Sequence, residues 1–311
     1  MEKKSNNLPL VSVVTVNYNQ TKVTAEFLTS MSKITYPNTE IFVVDNASPI
    51  DDSDSLKAEF PDINLLKSVK NLGFAGGNNL ALPHCKGKYV LFINNDTEVE
   101  KDFLEPLVEV LENDLTIGMV SPKIQYFHTK DTLQFAGFTR FNMLTIRNFA
   151  IGYGEVDKGQ YDVTCETGSI FGAAMLIPMK VIEKVGMMTE IFFLYYEEHD
   201  WAAHIEKAGY KIYYQGKSLV LHKESISTVK DSPFQIYYLN RGRILFARRN
   251  TKGFYRFLTL VYLYFVSGPR ISIGFISRGR FDLFFAYWKS VWWNITHRKN
   301  IIFGLPKLKR V

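Results

Sequence analysis

Four short apolar segments, separated by helix-like stretches, constrain the fold of this 311-residue chain most strongly. They lie at residues 10–16, 41–44, 63–68 and 89–93, and helical patterns occupy residues 22–32 and 103–111. Further strands are predicted later in the chain, at residues 170–177, 211–214 and 218–221. Segments that are apolar throughout, instead of alternating with polar residues, are typical of parallel strands covered by helices on both faces of a sheet. The sequence therefore predicts an α/β fold with a Rossmann-like, mostly parallel central sheet flanked by helices.

Polar residues directly follow three of these predicted strands. Asn17 and Asn19 come after the first, Asp45 and Asn46 end the second, and Asp96 lies just beyond the fourth. Ligands of open α/β sheets bind at the carboxyl ends of the strands, and a carboxylate there can accept a hydrogen bond from a pyrimidine N–H or a ribose hydroxyl. The alternative for each residue is a turn or a helix N-cap.

Residues 71–79, with the sequence Asn-Leu-Gly-Phe-Ala-Gly-Gly-Asn-Asn, form a second candidate ligand site. Gly73, Gly76 and Gly77 allow a ligand to approach the backbone closely, and Asn78 can contact a base or phosphate edge. The glycine spacing differs from the dinucleotide-binding fingerprint, and the segment has no P-loop lysine. A glycine-rich turn before a helix is the structural alternative.

Asn94, Asn95 and Asp96 follow the predicted strand at residues 89–93. A departing diphosphate needs its charge offset, and a divalent cation bridging a carboxylate and the diphosphate oxygens provides this. Asp96 is the single carboxylate of the triplet, and the imidazole of His222 could complete the coordination of Mn²⁺. The alternatives are an Asx turn at Asp96 and a structural role for His222.

The acids Glu197, Glu198 and Asp200 follow an aromatic run, residues 192–196, and lie at the start of a predicted helix, residues 199–207. Transfer of a group to a hydroxyl needs a general base, and a carboxylate in a partly apolar environment suits that role. Acids at the start of a helix also stabilise its dipole, so a structural role is the alternative. The adjacent aromatic residues favour an active-site role for these acids over a structural role.

The C-terminal part of the chain is basic and aromatic. Residues 241–311 contain fifteen Lys and Arg residues and one acid, a net charge of +14, which leaves −8 for the rest of a chain that carries +6 overall. A helix with a basic face is predicted at residues 234–249. The apolar run at residues 257–268 is too short to span a bilayer, and residues 281–293 are rich in Phe, Tyr and Trp.

A basic, aromatic helical segment is typical of one that lies in the membrane interface against anionic lipid. One alternative is a nucleic-acid-binding surface, which the strongly apolar composition disfavours. Another is a helical subdomain whose aromatic side chains are buried against the rest of the chain. We therefore expect a membrane surface, and no nucleic acid, among the partners.

Cys85 and Cys165 are the two cysteines, and they form neither a disulfide framework nor a metal-binding spacing. We interpret them as reduced thiols of a cytoplasmic protein. The polar residues 1–7 do not resemble a signal peptide. The expected location is the cytoplasm, peripheral to the inner face of the cell membrane, and the oligomeric state, a homodimer included, stays open.

Taken in order, these motifs resemble those of the family 2 inverting glycosyltransferases with the GT-A fold, especially their rhamnosyltransferase-like branch. The matching segments are the opening strand and loop (residues 11–19), the nucleotide-binding strand end (43–48), the N-x-G-F-A-x-G-x-N-like segment (71–79), the D-x-D-like motif (92–97), the acceptor-side Gly172 and Ala173, the E-D-x-D-like motif (193–201), and a late histidine segment with His222, Ser225 and Ser227. The similarity covers about residues 9–250.

The resemblance implies a role for each matching residue. Asp45 would bind the base or ribose, Asp96 and His222 would hold Mg²⁺ or Mn²⁺, and Glu198 would be the general base, with Asp200 nearby in the acceptor site. The other nucleotide-sugar-binding residues would be Asn17, Asn19, Asn46, Asn71, Gly73, Phe74, Gly77, Asn78, Asn94 and Asn95. The reaction would be a single in-line displacement that inverts the anomeric centre.

Two departures from the family pattern leave alternatives open. The metal motif has one carboxylate, and the base motif is Glu-Glu-His-Asp, so that Glu197, Glu198 and Asp200 compete for the role of base. The branch favours dTDP-L-rhamnose as donor, with UDP-hexose or UDP-N-acetylhexosamine as the alternative. The acceptor would be a surface-polysaccharide glycan carried on a polyprenyl diphosphate.

We divide the chain into a catalytic domain, residues 1–230, and a C-terminal, membrane-associating helical region, residues 231–311. Within the catalytic domain, residues 9–122 would bind the nucleotide-sugar and residues 123–230 would bind the acceptor. A nucleotidyltransferase shares this type of sheet but needs a basic phosphate loop near the N-terminus, which residues 17–20 do not supply. A non-enzymatic nucleic-acid-binding or scaffold protein is the other alternative.

Overall fold

Ten strands form one sheet in the computed structural model of the chain, which describes residues 8–129, 131–223, 231–297 and 304–310. The strands are β1 (Val11–Asn17), β2 (Thr39–Asp45), β3 (Asn64–Lys67), β4 (Tyr89–Ile93), β5 (Thr97–Val99), β6 (Ile117–Tyr126), β7 (Leu133–Phe135), β8 (Thr164–Glu166), β9 (Ala174–Pro178) and β10 (Lys211–His222). The α-helices are α1 (Thr21–Met31), α2 (Asp54–Glu59), α3 (Gly73–Ala81), α4 (Leu104–Asn113), α5 (Met179–Val185), α6 (Glu197–Lys207), α7 (Pro233–Asn250), α8 (Gly253–Val261), α9 (Gly268–Ile276) and α10 (Phe281–Thr296). Short 3₁₀ turns lie at Leu82–His84 and Glu190–Phe192, and a π-helical segment, Tyr262–Ser267, joins α8 to α9.

The sheet has the strand order β3-β2-β1-β4-β9-β6-β10-β5, with β7 beside β6 and β8 beside β10. The half formed by β3, β2, β1 and β4 is parallel throughout, as the uninterrupted apolar runs predict. The other half is mixed, because β9 pairs antiparallel with β4 and β6, and β5 pairs antiparallel with β10. The predicted parallel character therefore applies to the N-terminal half of the sheet.

Helices cover both faces of the sheet because both faces are apolar. Val13 of β1 joins a core cluster with Phe27 of α1 and Leu107 of α4. Val14, the next residue, belongs to a second cluster that contains Trp201 of α6. Since successive strand residues point to opposite faces, an unbroken apolar strand is stable only when a helical layer lies on each side.

Most predicted elements are confirmed, and the differences in length occur around one cavity. The strand predicted at residues 170–177 begins only at Ala174, because the preceding residues leave the sheet and contribute to the wall of that cavity. The strand predicted at residues 211–214 continues as β10 to His222. Helix α6 already begins at Glu197, so the acidic cluster lies inside its first turn.

A third core cluster joins the C-terminal helices to the rest of the chain. It contains Ile146, Phe192, Phe246 of α7 and Tyr287 of α10. Some of the C-terminal aromatic residues are therefore buried, as the subdomain alternative predicts. The division proposed after residue 230, like the two serines of the late histidine segment, lies outside the described residues.

The basic face predicted for residues 234–249 is wrong in part. Arg241, Arg243 and Arg249 are all less than a tenth exposed. They point inward because Arg241 and Arg243 bind main-chain carbonyl groups and Arg249 binds Asp200. Part of the positive charge of the C-terminal region thus stabilises the fold and does not face a partner.

The apolar run at residues 257–268 is part of a longer helix. Helix α8, the π-helical segment and α9 continue into one another over Gly253–Ile276, a length of 24 residues. The estimate from the twelve apolar residues was therefore too short. Of the described residues, this one helix has the length and apolar composition needed to cross a membrane.

Candidate active site

A cavity of about 430 Å³ opens at the carboxyl ends of β1, β2 and β4. Many of the predicted ligand-binding residues line it, namely Asn46, Asn71, Gly73, Phe74, Asn78, Asn94, Asn95, Asp96 and His222. Seven other predicted site residues lie outside its wall: Asn17, Asn19, Asp45, Gly77, Glu197, Glu198 and Asp200. The structure therefore brings the metal candidates and the glycine-asparagine segment together at the cavity. The three acids lie outside the residues that line it.

Strand pairing brings Asp96 and His222 into contact although 125 residues separate them in the sequence. His222 is the antiparallel partner of Thr97, and the Lys223 N–H donates to the main-chain oxygen of Asp96 at 2.8 Å. The His222 Nε2 atom lies 3.2 Å from Asp96 Oδ1, and both side chains are less than a tenth exposed. The two predicted metal ligands thus face each other at the cavity.

The polar atoms of this pair suit a divalent cation. The His222 Nδ1–H donates to Gln134 Oε1 at 2.8 Å, which leaves the Nε2 lone pair directed toward Asp96. Asp96 Oδ1 is buried and has no hydrogen-bond partner. A buried carboxylate oxygen without a hydrogen-bond partner, facing an imidazole nitrogen, is a suitable donor set for Mn²⁺.

The protein supplies only part of a complete coordination shell. Across the ranges that the structure describes, no group of three or more His, Cys, Asp or Glu side chains is placed to hold a metal. Mg²⁺ and related ions are commonly bound through one or two carboxylates together with substrate phosphates and water. The pair at Asp96 and His222 therefore fits an ion whose remaining ligands come from the donor.

Asn46 connects the end of β2 to the segment that precedes α3. Its Nδ2 donates to Asn71 Oδ1 and to the Gly73 carbonyl, both at 3.1 Å, and its Oδ1 accepts from the Leu72 N–H at 2.8 Å. All three hydrogen bonds stay within the protein. Asn46 therefore shapes the cavity wall at the point where the segment turns.

Gly73 is required by the close approach of another loop. Its φ angle is +70°, and a Cβ atom there would lie 2.1 Å from the Phe193 carbonyl oxygen. The same oxygen accepts a hydrogen bond from the Phe74 N–H at 2.7 Å. Gly77 has a packing role, because a Cβ atom there would lie 3.0 Å from the Val16 side chain of β1.

The polar residues at the ends of β1 and β2 form hydrogen bonds within and between the loops that follow these two strands. Asn17 Oδ1 accepts from the Thr24 hydroxyl at 2.9 Å, and Asn19 Oδ1 accepts from the Ile50 N–H at 3.2 Å. Asp45 accepts from the Ser48 N–H at 3.2 Å and from the Ser53 hydroxyl at 2.9 Å. The turn interpretation fits Asn17 and Asp45, whereas Asn19 joins the loop after β1 to the loop after β2. Nucleotide contact by the three residues stays a prediction.

The loop between the turn Glu190–Phe192 and α6 has an unusual backbone. Phe193, Tyr195 and Tyr196 have positive φ angles of 65°, 67° and 75°, and Phe193 and Tyr195 line the cavity. Such conformations cost free energy and persist only where the surroundings enforce them. Arg241 does so, because its guanidinium group donates to the Ile191 carbonyl at 2.9 Å and to that of Phe192.

The three candidate bases differ sharply in their surroundings. Glu197 is 2% exposed, and burial, reinforced by the adjacent Glu198 charge, raises its pKa well above the ordinary value. Its Oε2 has no hydrogen-bond partner. A carboxyl group in this environment is stable in its neutral form, which is a poor state for a base.

Asp200 is fully buried and paired, so the structure does not place it in the acceptor site. The Arg249 guanidinium donates to both of its oxygens, Nε to Oδ1 at 3.0 Å and Nη2 to Oδ2 at 2.9 Å. The Asn250 Nδ2 adds a hydrogen bond to Oδ1 at 2.7 Å. Because of its position around helix α6, the Asp200 side chain points away from the cavity and toward α7.

Glu198 is the acid beside the cavity. Its side chain is 17% exposed, and its Oε1 lies 3.9 Å from His199 Nε2. A Cβ atom on Gly172 would come within 3.5 Å of the same oxygen, and Gly172 directly follows Phe171, which lines the cavity. Burial lowers the pKa of the neighbouring His199 ring.

Several residues of the site carry no recognisable signal in the sequence. Gln134 reaches His222 only because β7 pairs with β6, which in turn pairs with β10. Arg241 supports the strained loop from a helix more than forty residues away in the sequence. The aromatic wall formed by Phe171 and Phe193 follows from loops whose course no local pattern specifies.

Sequence comparison identifies the class of protein to which this fold belongs. Residues 12–171, about half of the chain, match the model described as glycosyl transferase family 2. The chain belongs to this family. It is therefore a transferase of glycan assembly, as predicted, and not a nucleotidyltransferase or a non-enzymatic scaffold.

Two curated relatives show the range of similar proteins. The low-salt glycan biosynthesis hexosyltransferase Agl10 of Haloferax volcanii is 24% identical over 245 residues, 76% of this chain and 74% of the relative. The Escherichia coli UDP-Glc:alpha-D-GlcNAc-diphosphoundecaprenol beta-1,3-glucosyltransferase WfgD is 34% identical over 92 residues, 28% of this chain and 35% of the relative.

Among solved structures, the mannosyltransferase PcManGT from Pyrobaculum calidifontis, in complex with GDP-Man and Mn²⁺, resembles this chain with a TM-score of 0.58. The identity is 17%, and the match covers 93% of this chain and 75% of the other. The similarity confirms the GT-A fold, with its mixed sheet, flanking helices and C-terminal helices.

Proposed function

We propose that the chain is a metal-dependent, inverting glycosyltransferase that adds a hexose to a glycan carried on a polyprenyl diphosphate. The observation that carries this proposal is the buried pair of Asp96 Oδ1 and His222 Nε2, 3.2 Å apart at the cavity. When bound, Mg²⁺ or Mn²⁺ would offset the charge of the nucleoside diphosphate as it leaves. Binding of Mn²⁺ with a nucleotide-sugar in PcManGT supports this assignment.

The other residues divide between donor and acceptor. Asp45 would accept a hydrogen bond from the base or the ribose, and Asn78 and the backbone at Gly73 would border the nucleotide. Glu198 would take the proton of the acceptor hydroxyl. The acceptor oxygen then forms a bond to the anomeric carbon while the bond from that carbon to the diphosphate oxygen breaks. Because this is a single in-line displacement, the anomeric configuration inverts.

We propose dTDP-L-rhamnose as the first donor to test, because the ordered motifs resemble the rhamnosyltransferase-like branch. A UDP-hexose or UDP-N-acetylhexosamine is the second candidate. The use of UDP-Glc by the Escherichia coli relative supports it. A panel of nucleotide-sugars with Mn²⁺, compared by the rise in melting temperature that each causes, distinguishes the two.

An exposed apolar surface supports a location at the inner face of the cell membrane. We call this surface the apolar face; its members are Phe254, Phe257, Phe265 and Ile273 of the helix Gly253–Ile276 and Phe281, Phe285, Trp288, Trp292 and Ile295 of α10, all at least 38% exposed. The buried side of the long helix carries instead small residues such as Thr259, Gly268 and Ser272. A helix that contacts lipid is expected to carry small residues on its buried side and large apolar residues on its exposed side.

Substitution of the two acids at the start of α6 tests the catalytic assignment. We expect Glu198→Gln to lower the transfer rate by roughly 10²–10⁴-fold, because it removes the base, without weakening donor binding. Glu197→Gln should lower it by less than about tenfold, because the neutral carboxyl is isosteric with the amide. Initial rates and donor affinity for both variants provide the measurement, with the exposed Glu109→Gln as control. Full transfer activity in Glu198→Gln would refute the assignment.

Measurement of Mn²⁺ binding tests the metal assignment separately from the catalytic assignment. Asp96→Ala and His222→Ala should each weaken Mn²⁺ binding in the presence of nucleoside diphosphate by tenfold or more, as measured by calorimetry or by the electron paramagnetic resonance signal of the ion. Circular dichroism checks that both variants remain folded. Undiminished Mn²⁺ affinity in both variants would contradict the site.

A further inference from the structure

A second cavity lies between α7 and the helix Gly253–Ile276, outside the site described above. Its volume is about 390 Å³, within the range of pockets that bind small molecules. Three arginines, Arg147, Arg270 and Arg278, contribute to its wall, and no Asp or Glu is found among the described residues that line it. We call it the arginine cavity.

The guanidinium groups of these arginines are available to a ligand. All three residues are exposed, and no hydrogen bond or ion pair of their side chains is present within the part of the chain that the structure describes. Arg243 lies behind the wall, where it donates to the hydroxyl of the lining residue Ser267 at 3.3 Å. Three positive charges that line one cavity without a counter-ion repel one another, and a bound anion relieves this repulsion.

Apart from Asn240 and Ser267, the rest of the wall is largely apolar, which restricts the class of anion. Ile236, Tyr262, Ile271 and Phe275 line the cavity together with the arginines. Val266 also lines it and is 54% exposed on the outer surface. Val266 directly follows Phe265 of the apolar face, so a ligand with an anionic head and a hydrocarbon tail can place each part against a matching surface.

The cavity is also adjacent to the active site. Phe234 and Gln235, in the first turn of α7, line the active-site cavity, whereas Ile236 and Asn240 line the arginine cavity. Gln235 and Asn240 are separated by roughly 8 Å along the helix, at a rise of about 1.5 Å per residue. Burial raises the pKa of the Tyr196 hydroxyl, the charge of Arg147 opposes this larger effect, and Tyr196 lies two residues before Glu198 in the sequence.

We propose that the arginine cavity binds the diphosphate and the first isoprenoid units of a polyprenyl-diphosphate-linked acceptor. The arginines would form charge-assisted hydrogen bonds to the diphosphate oxygens, and the remainder of the isoprenoid chain would lie along the apolar face. The sugar attached to the diphosphate would then extend past α7 toward Glu198. This inference rests on the proposed function, because it names the recognition site of that acceptor.

Binding of farnesyl diphosphate, a water-soluble isoprenoid diphosphate, to the full chain tests the proposal directly. We expect Arg270→Gln and Arg278→Gln each to raise the dissociation constant by about tenfold or more, the usual effect of losing a charge-assisted contact. Arg280→Gln is the matched control, because it removes the same charge nearby from a residue that binds Asp282 outside the cavity. The control should change the constant by less than about twofold.

Three results would overturn the proposal. The first is unchanged binding of farnesyl diphosphate by both cavity variants. The second is equally tight binding of farnesol, which lacks the diphosphate. The third is an equal loss of binding to phosphatidylglycerol vesicles in the same variants, which would identify a general surface for anionic lipid headgroups.

Donor binding, measured separately on the unmodified chain, distinguishes this proposal from the proposed function. Arginine-dependent binding of farnesyl diphosphate without binding of any nucleotide-sugar would support the cavity and contradict the transferase assignment. Nucleotide-sugar binding and transfer to soluble glycans, without arginine-dependent binding of farnesyl diphosphate, would contradict the cavity alone.

Discussion

At the residue scale, Asp200 shows how a catalytic motif can also contain a structural residue. It lies two positions after the proposed base, yet it is fully buried in a bidentate pair with Arg249 of α7. Thr189 and Asn250 also donate hydrogen bonds to its carboxylate. Such a pair contributes little net stability relative to apolar residues of the same shape, but removal of one partner leaves the other charge buried and unpaired.

We therefore predict that Asp200→Ala destabilises the protein by about 3–5 kcal/mol, because the Arg249 charge remains without a counter-ion. The melting temperature from circular dichroism measures this loss. Asp282→Ala is the matched control, since it breaks an exposed pair with Arg280 and should shift the melting temperature by about one degree or less. A shift as small in Asp200→Ala would show that its pairing is unimportant for the fold.

At the element scale, α10 has two faces of different character. Phe281, Phe285, Trp288, Trp292 and Ile295 recur at helical spacing and are all exposed. The opposite side, with Tyr287, Val291 and Asn294, packs against α7 and the rest of the third core cluster. A contiguous exposed apolar stripe of this kind marks a contact surface, and the basic residues around it favour an anionic membrane.

We predict that Phe285→Asp and Trp292→Asp each weaken binding to phosphatidylglycerol vesicles by about tenfold or more, because each removes a large apolar side chain from the lipid contact. Co-sedimentation with vesicles measures the affinity. Leu115→Asp serves as control, because Leu115 is a similarly exposed apolar residue on the catalytic half. Equal vesicle binding by all three variants, or loss of a dimer in place of vesicle binding, would contradict the assignment.

How far an element could be predicted from the sequence depended on where its partners lie. The strand β4 was predicted with its observed bounds, because all five of its residues are apolar and buried between two helical layers. The region of β10 was predicted as two short strands, residues 211–214 and 218–221, and is one strand of twelve residues, because Gly216 and Lys217 interrupt the apolar pattern near a register shift. Local pattern cannot reveal such an irregularity, which its neighbouring strands stabilise.

The residues of the candidate site, like the strands, could be predicted only where their partners could be recognised in the sequence. Asp96 and His222 were predicted together from the order of the motifs, and the pairing of β5 with β10 brings them into contact. The roles of Gln134 and Arg241 were not predicted, since they depend on contacts between elements that are distant in the sequence. The buried state of Asp200 was missed because its partner Arg249 was interpreted as part of an exposed basic face.

At the scale of the whole molecule, the C-terminal helices are integrated with the catalytic half. Arg241 and Arg249 of α7 cross to the loop before α6 and to α6 itself. Near the C-terminus, Leu305 and Leu308 pack against the second core cluster, and the Met187 N–H donates to the Pro306 carbonyl at 2.8 Å. Contacts of this kind couple the free energies of the two regions, in contrast to a division into two independent domains.

We accordingly expect the chain to unfold as one cooperative unit. In a Trp201→Phe background, the remaining tryptophans all lie in α10, so their fluorescence reports on the C-terminal helices alone. Adding Leu91→Ala to the central strand β4 should destabilise the sheet by about 2–5 kcal/mol. If the regions are coupled, this distant change lowers the tryptophan transition and the circular dichroism transition by the same number of degrees. A fluorescence transition that stays in place while the circular dichroism transition falls would show instead that the C-terminal helices fold independently of the sheet.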